Sequence, residues 1–166
     1  MRVLGVCGSL QRASSNLTLL HDAARWAPTG MSIEIFDGIR DLPLFDPDLE
    51  RGPEIAAVRA WRDAIAASDA VLIACPEYGH SLPGALKNAV DWVIGTAELE
   101  TKIVAVTCST PGPERGLRGL DALCRTLLAV RATLVGTWPT VRGDTYEPSL
   151  RALLQGLHQV IETADE

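Results

Sequence analysis

Residues Ala70–Trp92 read "AVLIACPEYGHSLPGALKNAVDW", and three patterns follow one another within that stretch. The run Ala70–Cys75 is continuously apolar, as a strand covered on both faces must be. Pro76-Glu77-Tyr78-Gly79 then breaks it, because proline lacks an N–H for a ladder and glycine tolerates a turn. Beyond Pro83, Leu86, Val90 and Trp92 supply the apolar side of an amphipathic helix, and proline is tolerated at a helix start because its missing N–H would have no partner there. The stretch is one βα unit with a buried strand.

The same alternation extends in both directions. Short apolar runs recur at Arg2–Cys7, Ser32–Asp37, Lys102–Cys108 and Ala132–Trp138. Segments of helical spacing lie between and after them, at Asn16–Trp26, Pro53–Ala67, Leu82–Ile94, Arg115–Val130 and Pro148–Thr163, with Pro53 and Pro148 expected in first helical turns. Five βα units demand right-handed crossovers, so the pattern predicts an α/β fold: a doubly wound five-stranded parallel sheet of order 2-1-3-4-5 with helices on both faces. The one long connection, "DLPLFDPDLERGP" (Asp41–Pro53), reads as an acidic surface loop.

Composition narrows the function. A chain of 166 residues suits a single domain, residues 1–166, that buries roughly 70% of its unfolded surface. With 47% hydrophobic and 22% charged residues it is ordinary for a globular protein, and no apolar run approaches the ~18 residues that cross a bilayer. The apolar start, Val3–Cys7, is too short for a signal-peptide core, so a cytoplasmic location is expected. A net charge of −6, with only Lys87 and Lys102 as lysines, argues against a nucleic-acid partner. Of the four cysteines, Cys7, Cys75 and Cys108 each close an apolar run, where cysteine serves as a small buried hydrophobe. No Cys-x-x-Cys or paired-histidine spacing suggests a metal, since His21, His80 and His158 are isolated.

In an open parallel sheet the ligand lies beyond the carboxyl ends of the strands, where strand order reverses. That places the loops after Cys7 and Cys75 at the site. The first, "GSLQRASSN" (Gly8–Asn16), matches neither the dinucleotide nor the nucleoside-triphosphate glycine motif. It is rich in short polar side chains instead. Ser9, Ser14, Ser15 and Asn16 crowd a strand-to-helix junction whose free N–H groups and dipole favour an anion, and a phosphate monoester is the expected guest. Plain capping of the helix by Ser14 or Asn16 would account for one of these residues. The second loop, Pro76–Gly79, would give a stiff backbone edge for a flat ring.

Together, "GSLQRASSN" and "PEYGHSLPGALKNAVDW" resemble the NADPH-dependent FMN reductase family of the flavodoxin-like fold, which includes quinone, azo-dye and chromate reductases. The resemblance covers nearly the whole chain and extends to "DLPLFDPDLE" and "STPGPERGLRGLDALCRTLL". It implies that Ser9, Ser14 and Asn16 hold the FMN phosphate with Ser15 and Arg12 beside them. Pro76, Glu77 and Tyr78 would lie along the isoalloxazine ring, and Ser109 and Gly112 would approach it from a third loop. The chain departs from the family pattern at Gln11, where arginine is usual, and at Gly79, where asparagine is usual; Arg12 is expected to replace the missing arginine at the phosphate. The implied activity passes hydride from NADPH or NADH through FMN to a small-molecule acceptor such as a quinone, azo compound, metal oxyanion or free flavin. It needs no catalytic side chain. Glu77 is expected to make a backbone contact or an ion pair at a subunit boundary, and a homodimer or homotetramer is implied. Three other readings are a flavodoxin-like electron carrier, a family member that has lost FMN, and a low-molecular-weight phosphatase using Cys7 and Arg12, whose spacing is one residue short of Cys-x(5)-Arg.

Overall fold

A computed structural model describes residues 1–164. In chain order the elements are β1 (Arg2–Cys7), α1 (Ser15–Arg25), β2 (Ser32–Phe36), a 3-10 turn at Ile39–Asp41, α2 (Pro47–Glu50), α3 (Ala56–Ala66), β3 (Ala70–Ala74), α4 (Gly84–Asp91), β4 (Ile103–Thr107), β5 (Ser109–Thr110), α5 (Leu117–Ala129), β6 (Thr133–Thr137), β7 (Thr140–Val141) and α6 (Tyr146–Ala164). The main sheet is parallel throughout, in the order β2-β1-β3-β4-β6. This is the expected 2-1-3-4-5 order, with β6 as the fifth strand of the sheet.

Alternate residues of the central strands feed two cores. Val71 and Ile73 pack with Trp61, Leu86, Leu120 and Leu123 from α3, α4 and α5, while Leu72 packs with Leu19, Leu20, Leu150 and Leu154 from α1 and α6. Every residue of β3 is buried, which is why its sequence shows no polar alternation. No helix among the described residues is long and apolar enough to cross a membrane.

Three local expectations change. Pro53 lies ahead of α3, which is capped at Ile55, whereas Pro148 does sit in the first turn of α6. The Asp41–Pro53 connection contains the short α2, nucleated where Asp46 Oδ1 accepts the Asp48 N–H at 2.8 Å. The β5–β7 pair was not foreseen from periodicity. A bulge between Val104 and Ala105 shifts the β4–β6 register, and the chains re-pair just beyond as Ser109↔Thr140 and Thr110↔Val141. Buried Thr107 and Thr140 seal that junction, their hydroxyls 2.8 Å apart and Thr107 Oγ1 3.0 Å from the Trp138 carbonyl oxygen.

The "KNAVDW" segment has a structural task. Asn88 and Trp92, one helical turn apart, both donate to the Pro43 carbonyl, at 2.9 and 2.8 Å, and Asn88 Oδ1 accepts the Phe45 N–H at 2.7 Å. Those bonds pin the long connection onto the last turn of α4.

Gly116 must be glycine for two reasons. Its φ of +86° is left-handed, and a Cβ there would lie 2.4 Å from Cys108 Sγ. Gly116→Ala should therefore destabilise the protein by about 1–3 kcal/mol in urea unfolding. An unchanged midpoint would show that the start of α5 is not held as described.

Candidate functional site

At the switch point, β1 sends its chain into α1 on one face and β3 sends its chain toward α4 on the other. A cleft of about 560 Å³ opens between the two loops and the segment after β4, within the range of small-ligand pockets. Nine of the sequence-derived candidates line it: Ser9, Gln11, Ser14, Ser15, Asn16, Pro76, Glu77, Tyr78 and Ser109. Arg12, Gly79 and Gly112 do not. Arg12 instead faces an adjoining cleft beside β2.

The first loop combines a cap with a cradle. Ser14 is the N-cap of α1, its Oγ accepting the Asn16 N–H at 3.2 Å. Ser9 Oγ accepts the Gln11 N–H at 3.3 Å. Among the described residues, the N–H groups of Arg12, Ala13, Ser14 and Ser15 have no protein acceptor. Of these, Ser14 and Ser15 line the cleft, where their amides, the serine hydroxyls and the start of an 11-residue helix make a set of donors that suits a phosphate.

Hydrogen bonds join the neighbouring walls. Asn16 Oδ1 accepts the Ser109 N–H at 2.9 Å, tying the first loop to the third. Ser9 Oγ lies 3.1 Å from Tyr78 Oη, tying the first to the second. Glu77 Oε2 accepts the N–H groups of Arg118 and Gly119 at 3.0 and 3.3 Å, tying the second to α5. These bonds reassign several candidates. Asn16 keeps its NH2 group for a ligand, while its oxygen is committed. The Ser109 amide is also committed, and Gly112 N–H meets Thr110 Oγ1, so the third loop offers the Ser109 hydroxyl.

Glu77 supplies the cap that Gly116 cannot, since glycine has no side chain to place at the start of α5. The close approach this needs is possible because position 119 is glycine: a Cβ there would sit 2.9 Å from Glu77 Cα. The Glu77 contacts are thus within one chain, to α5 and to His80, whose Nδ1 lies 3.1 Å from Glu77 Oε1 and 2.9 Å from Arg118 Nη1. That nitrogen can donate to Glu77 or accept from Arg118, not both.

Gly79 follows from the turn. Tyr78 and Ser81 exchange both backbone hydrogen bonds, at 3.0 and 3.1 Å, and the two residues between them, Gly79 and His80, have φ of +57° and +62°. Glycine and asparagine are the residues that most readily take such a turn, so the departure at position 79 is a backbone matter.

The thiols are not set for nucleophilic work. Burial pushes the Cys7 thiol up, and it pushes Cys75 to about 12 and Cys108 to about 11. A thiol phosphatase needs the opposite shift, and its arginine would have to face the cleft that Arg12 avoids. Sequence reasoning missed Arg115 and Arg118, which line the cleft mouth; the cationic "PERGLRG" (Pro113–Gly119) was the available signal.

Residues 1–145 match the NADPH-dependent FMN reductase family. The chain belongs to that family. Among curated relatives of this FMN reductase-family chain, an NAD(P)H-dependent FMN reductase of Pseudomonas aeruginosa is 45% identical over 92 residues, covering 55% of this chain and 49% of the relative. A quinone reductase of Escherichia coli is 34% identical over 121 residues, covering 71% and 64%. The chain spans about half the length of the first of these and somewhat more of the second. In structure it resembles FerB, a flavoenzyme NAD(P)H:(acceptor) oxidoreductase of Paracoccus denitrificans, with a TM-score of 0.83 and 27% identity over 98% of this chain and 97% of that one. An oxidised flavodoxin of Bacillus cereus, 17% identical with a TM-score of 0.65 over 96% and 98%, shows the same flavodoxin-like fold.

The Glu77 cap gives this family member a testable pH dependence. The His80 ring foremost, and then the Gly119 and Arg118 amides, hold the Glu77 carboxyl below its ordinary range against some desolvation. A carboxyl lowered on folding adds stability that is present above its ordinary pKa and is lost as pH falls through the lowered one. Glu77→Gln should therefore unfold at lower urea than the parent at neutral pH, and the gap should narrow in acid. A gap independent of pH would remove the charge from the account.

Proposed function

We propose that the chain is an NAD(P)H-dependent flavin reductase that uses FMN to pass reducing equivalents from NADPH or NADH to a small acceptor, a quinone foremost. The observation that carries this reading is the pairing of a phosphate-suited cradle at the foot of α1 with a cleft wall of Pro76, Glu77 and Tyr78. The names of the FMN reductase and quinone reductase relatives support it.

The residues fit FMN. The loop amides, Ser9, Ser14, Ser15 and the Asn16 NH2 group suit a phosphate monoester, and the stiff Pro76–Tyr78 segment suits a flat ring alongside. When bound, the flavin supplies the reversible acceptance of hydride. The protein holds the ring in place, directs the Ser109 hydroxyl into the cleft, and leaves the outer face open where Arg115 and Arg118 stand. Tyr78 is the single Phe, Tyr or Trp in the lining, and it is 51% exposed. One ring cannot clamp a flavin from both sides, which favours a reductase with an accessible ring over an electron carrier.

Titration with FMN should produce a bound-flavin spectrum that NADPH or NADH bleaches without oxygen and a quinone restores. A protein that takes up no flavin overturns the reading. Gln11 lines the cradle end of the cleft where the family has arginine, so Gln11→Arg should tighten FMN roughly ten- to a hundredfold, the ~1.5–3 kcal/mol of a charged hydrogen bond. Equal FMN affinities in parent and variant would show that position 11 does not meet the phosphate.

The same reading takes the protein as cytoplasmic and as a homodimer or homotetramer. The connection after β2 supports association, since Leu44 stands 83% exposed on it. Light scattering at micromolar concentration should return at least twice the mass of the chain, and a monomer mass rejects the assembly.

A further inference from the structure

A second cleft, of about 470 Å³, lies on the other side of the first loop, at the carboxyl ends of β1 and β2. It shares Ser9 and Gln11 with the first cleft, so one strip of backbone separates the two. Leu17, Ile35 and Phe36 give it an apolar surface, and Arg12, Asp37 and Arg40 give it charge. Arg40 Nη2 donates to the Leu10 carbonyl oxygen at 2.8 Å, which anchors the guanidinium beside the loop. Among the described residues, Arg12 and Asp37 have no ion-pair partner and no side-chain hydrogen bond.

That set of groups constrains the ligand. A carboxylate needs hydroxyl or N–H donors, two guanidinium groups need an anion, and the apolar surface needs a flat or aliphatic body. A phosphorylated ribose bearing a base meets all three. In Rossmann-type doubly wound sheets an acidic residue beyond the first loop accepts ribose hydroxyls, and a nearby arginine accommodates a 2′-phosphate; the first loop here lacks that fold's glycine motif, so the likeness is in the charged groups alone. Asp37 directly follows β2, which pairs with β1, and Arg12 reaches the same cleft from the loop after β1.

We propose that this second cleft binds the adenosine-phosphate portion of a dinucleotide, with Arg12 and Arg40 on the phosphate and Asp37 on the ribose. The proposal rests on the flavin-reductase reading for its source, since two dinucleotides could bring that group: the nicotinamide donor, or FAD spanning the first loop. Arg12 is thereby assigned to the nucleotide and not to the flavin phosphate.

The probe is 2′,5′-ADP, titrated calorimetrically into the protein with and without saturating FMN. Saturable binding that persists with FMN present is expected, weakened roughly ten- to a hundredfold in Arg12→Ala and Arg40→Ala. Among the described residues the Arg12 side chain has no hydrogen bond or ion pair, so its replacement leaves those contacts in place. Two arms separate the sources. A KM that rises for NADPH but not for NADH in Arg12→Ala names the donor, whereas a loss of FAD affinity with FMN affinity intact names the flavin dinucleotide. No saturable binding of 2′,5′-ADP, displacement of it by FMN, indifference to both arginines, or no change in either arm overturns the proposal. Failure to bind flavin would instead sink the reductase reading, because the 2′,5′-ADP titration without FMN is read independently of it.

Discussion

Two chain segments leave adjacent strands toward opposite faces of the sheet, and that divergence shapes everything above it. β1 and β3 are hydrogen-bonded neighbours from Val3↔Ala70 to Cys7↔Ala74, yet α1 packs in one core and α4 in the other. The strands must stay together because β3 is buried on both sides, and the helices must separate because each core needs a cover. A crevice between the loops is the geometric result. Position 8 shows how tight the fork is: a Cβ there would meet Leu86, Pro76 and the Ala74 carbonyl at 3.1–3.3 Å.

A crevice alone is not a site, because loops that diverge are free to move. The walls are stiffened by contacts across it, and each contact uses an atom that would otherwise lack a partner. The Asn16 carbonyl oxygen takes the Ser109 amide, and the Glu77 carboxylate takes amides at the start of α5 that no local side chain can cap. These bonds reduce what the loops would lose in conformational freedom when a ligand binds, which is how protein dipoles come to be aimed in advance. Glu77 lines the cleft and at the same time fixes its wall to α5.

The fold was legible in the sequence because its strongest determinant, burial of both sheet faces, writes itself as continuous apolar runs separated by helical spacing. Ala70–Cys75 needed no context to be read as an interior strand. Local chemistry was legible in part: a short polar side chain before an amphipathic run marks a helix start, which left Ser14 or Asn16 as the cap, and the structure gives it to Ser14. What escaped were relations between distant residues. Glu77 and Gly119 lie in different βα units, and neither signals that one caps the helix whose first turn holds the other. The β5–β7 pair escaped for the same reason: it depends on a register shift between β4 and β6, which two strands create jointly. The "KNAVDW" segment was legible as a family mark but not as a clamp, since its target is the Pro43 carbonyl of another connection.

Gln11 and Arg12 show how a single loop can serve two neighbouring spaces. The loop that ends β1 has a cleft on each side, and its successive side chains are directed differently: Gln11 borders both clefts, while Arg12 borders the one beside β2. A cation in the first cleft would add to a helix N-terminus and to free amides that already favour an anion. On the β2 side Arg12 and Arg40 both border the cleft, so two guanidinium groups can meet an anion there. With a neutral amide at position 11 and the cation at position 12, the loop turns its positive charge toward the cleft beside β2. On that argument the departure from the family pattern at position 11 and the arginine at position 12 are one feature of this chain.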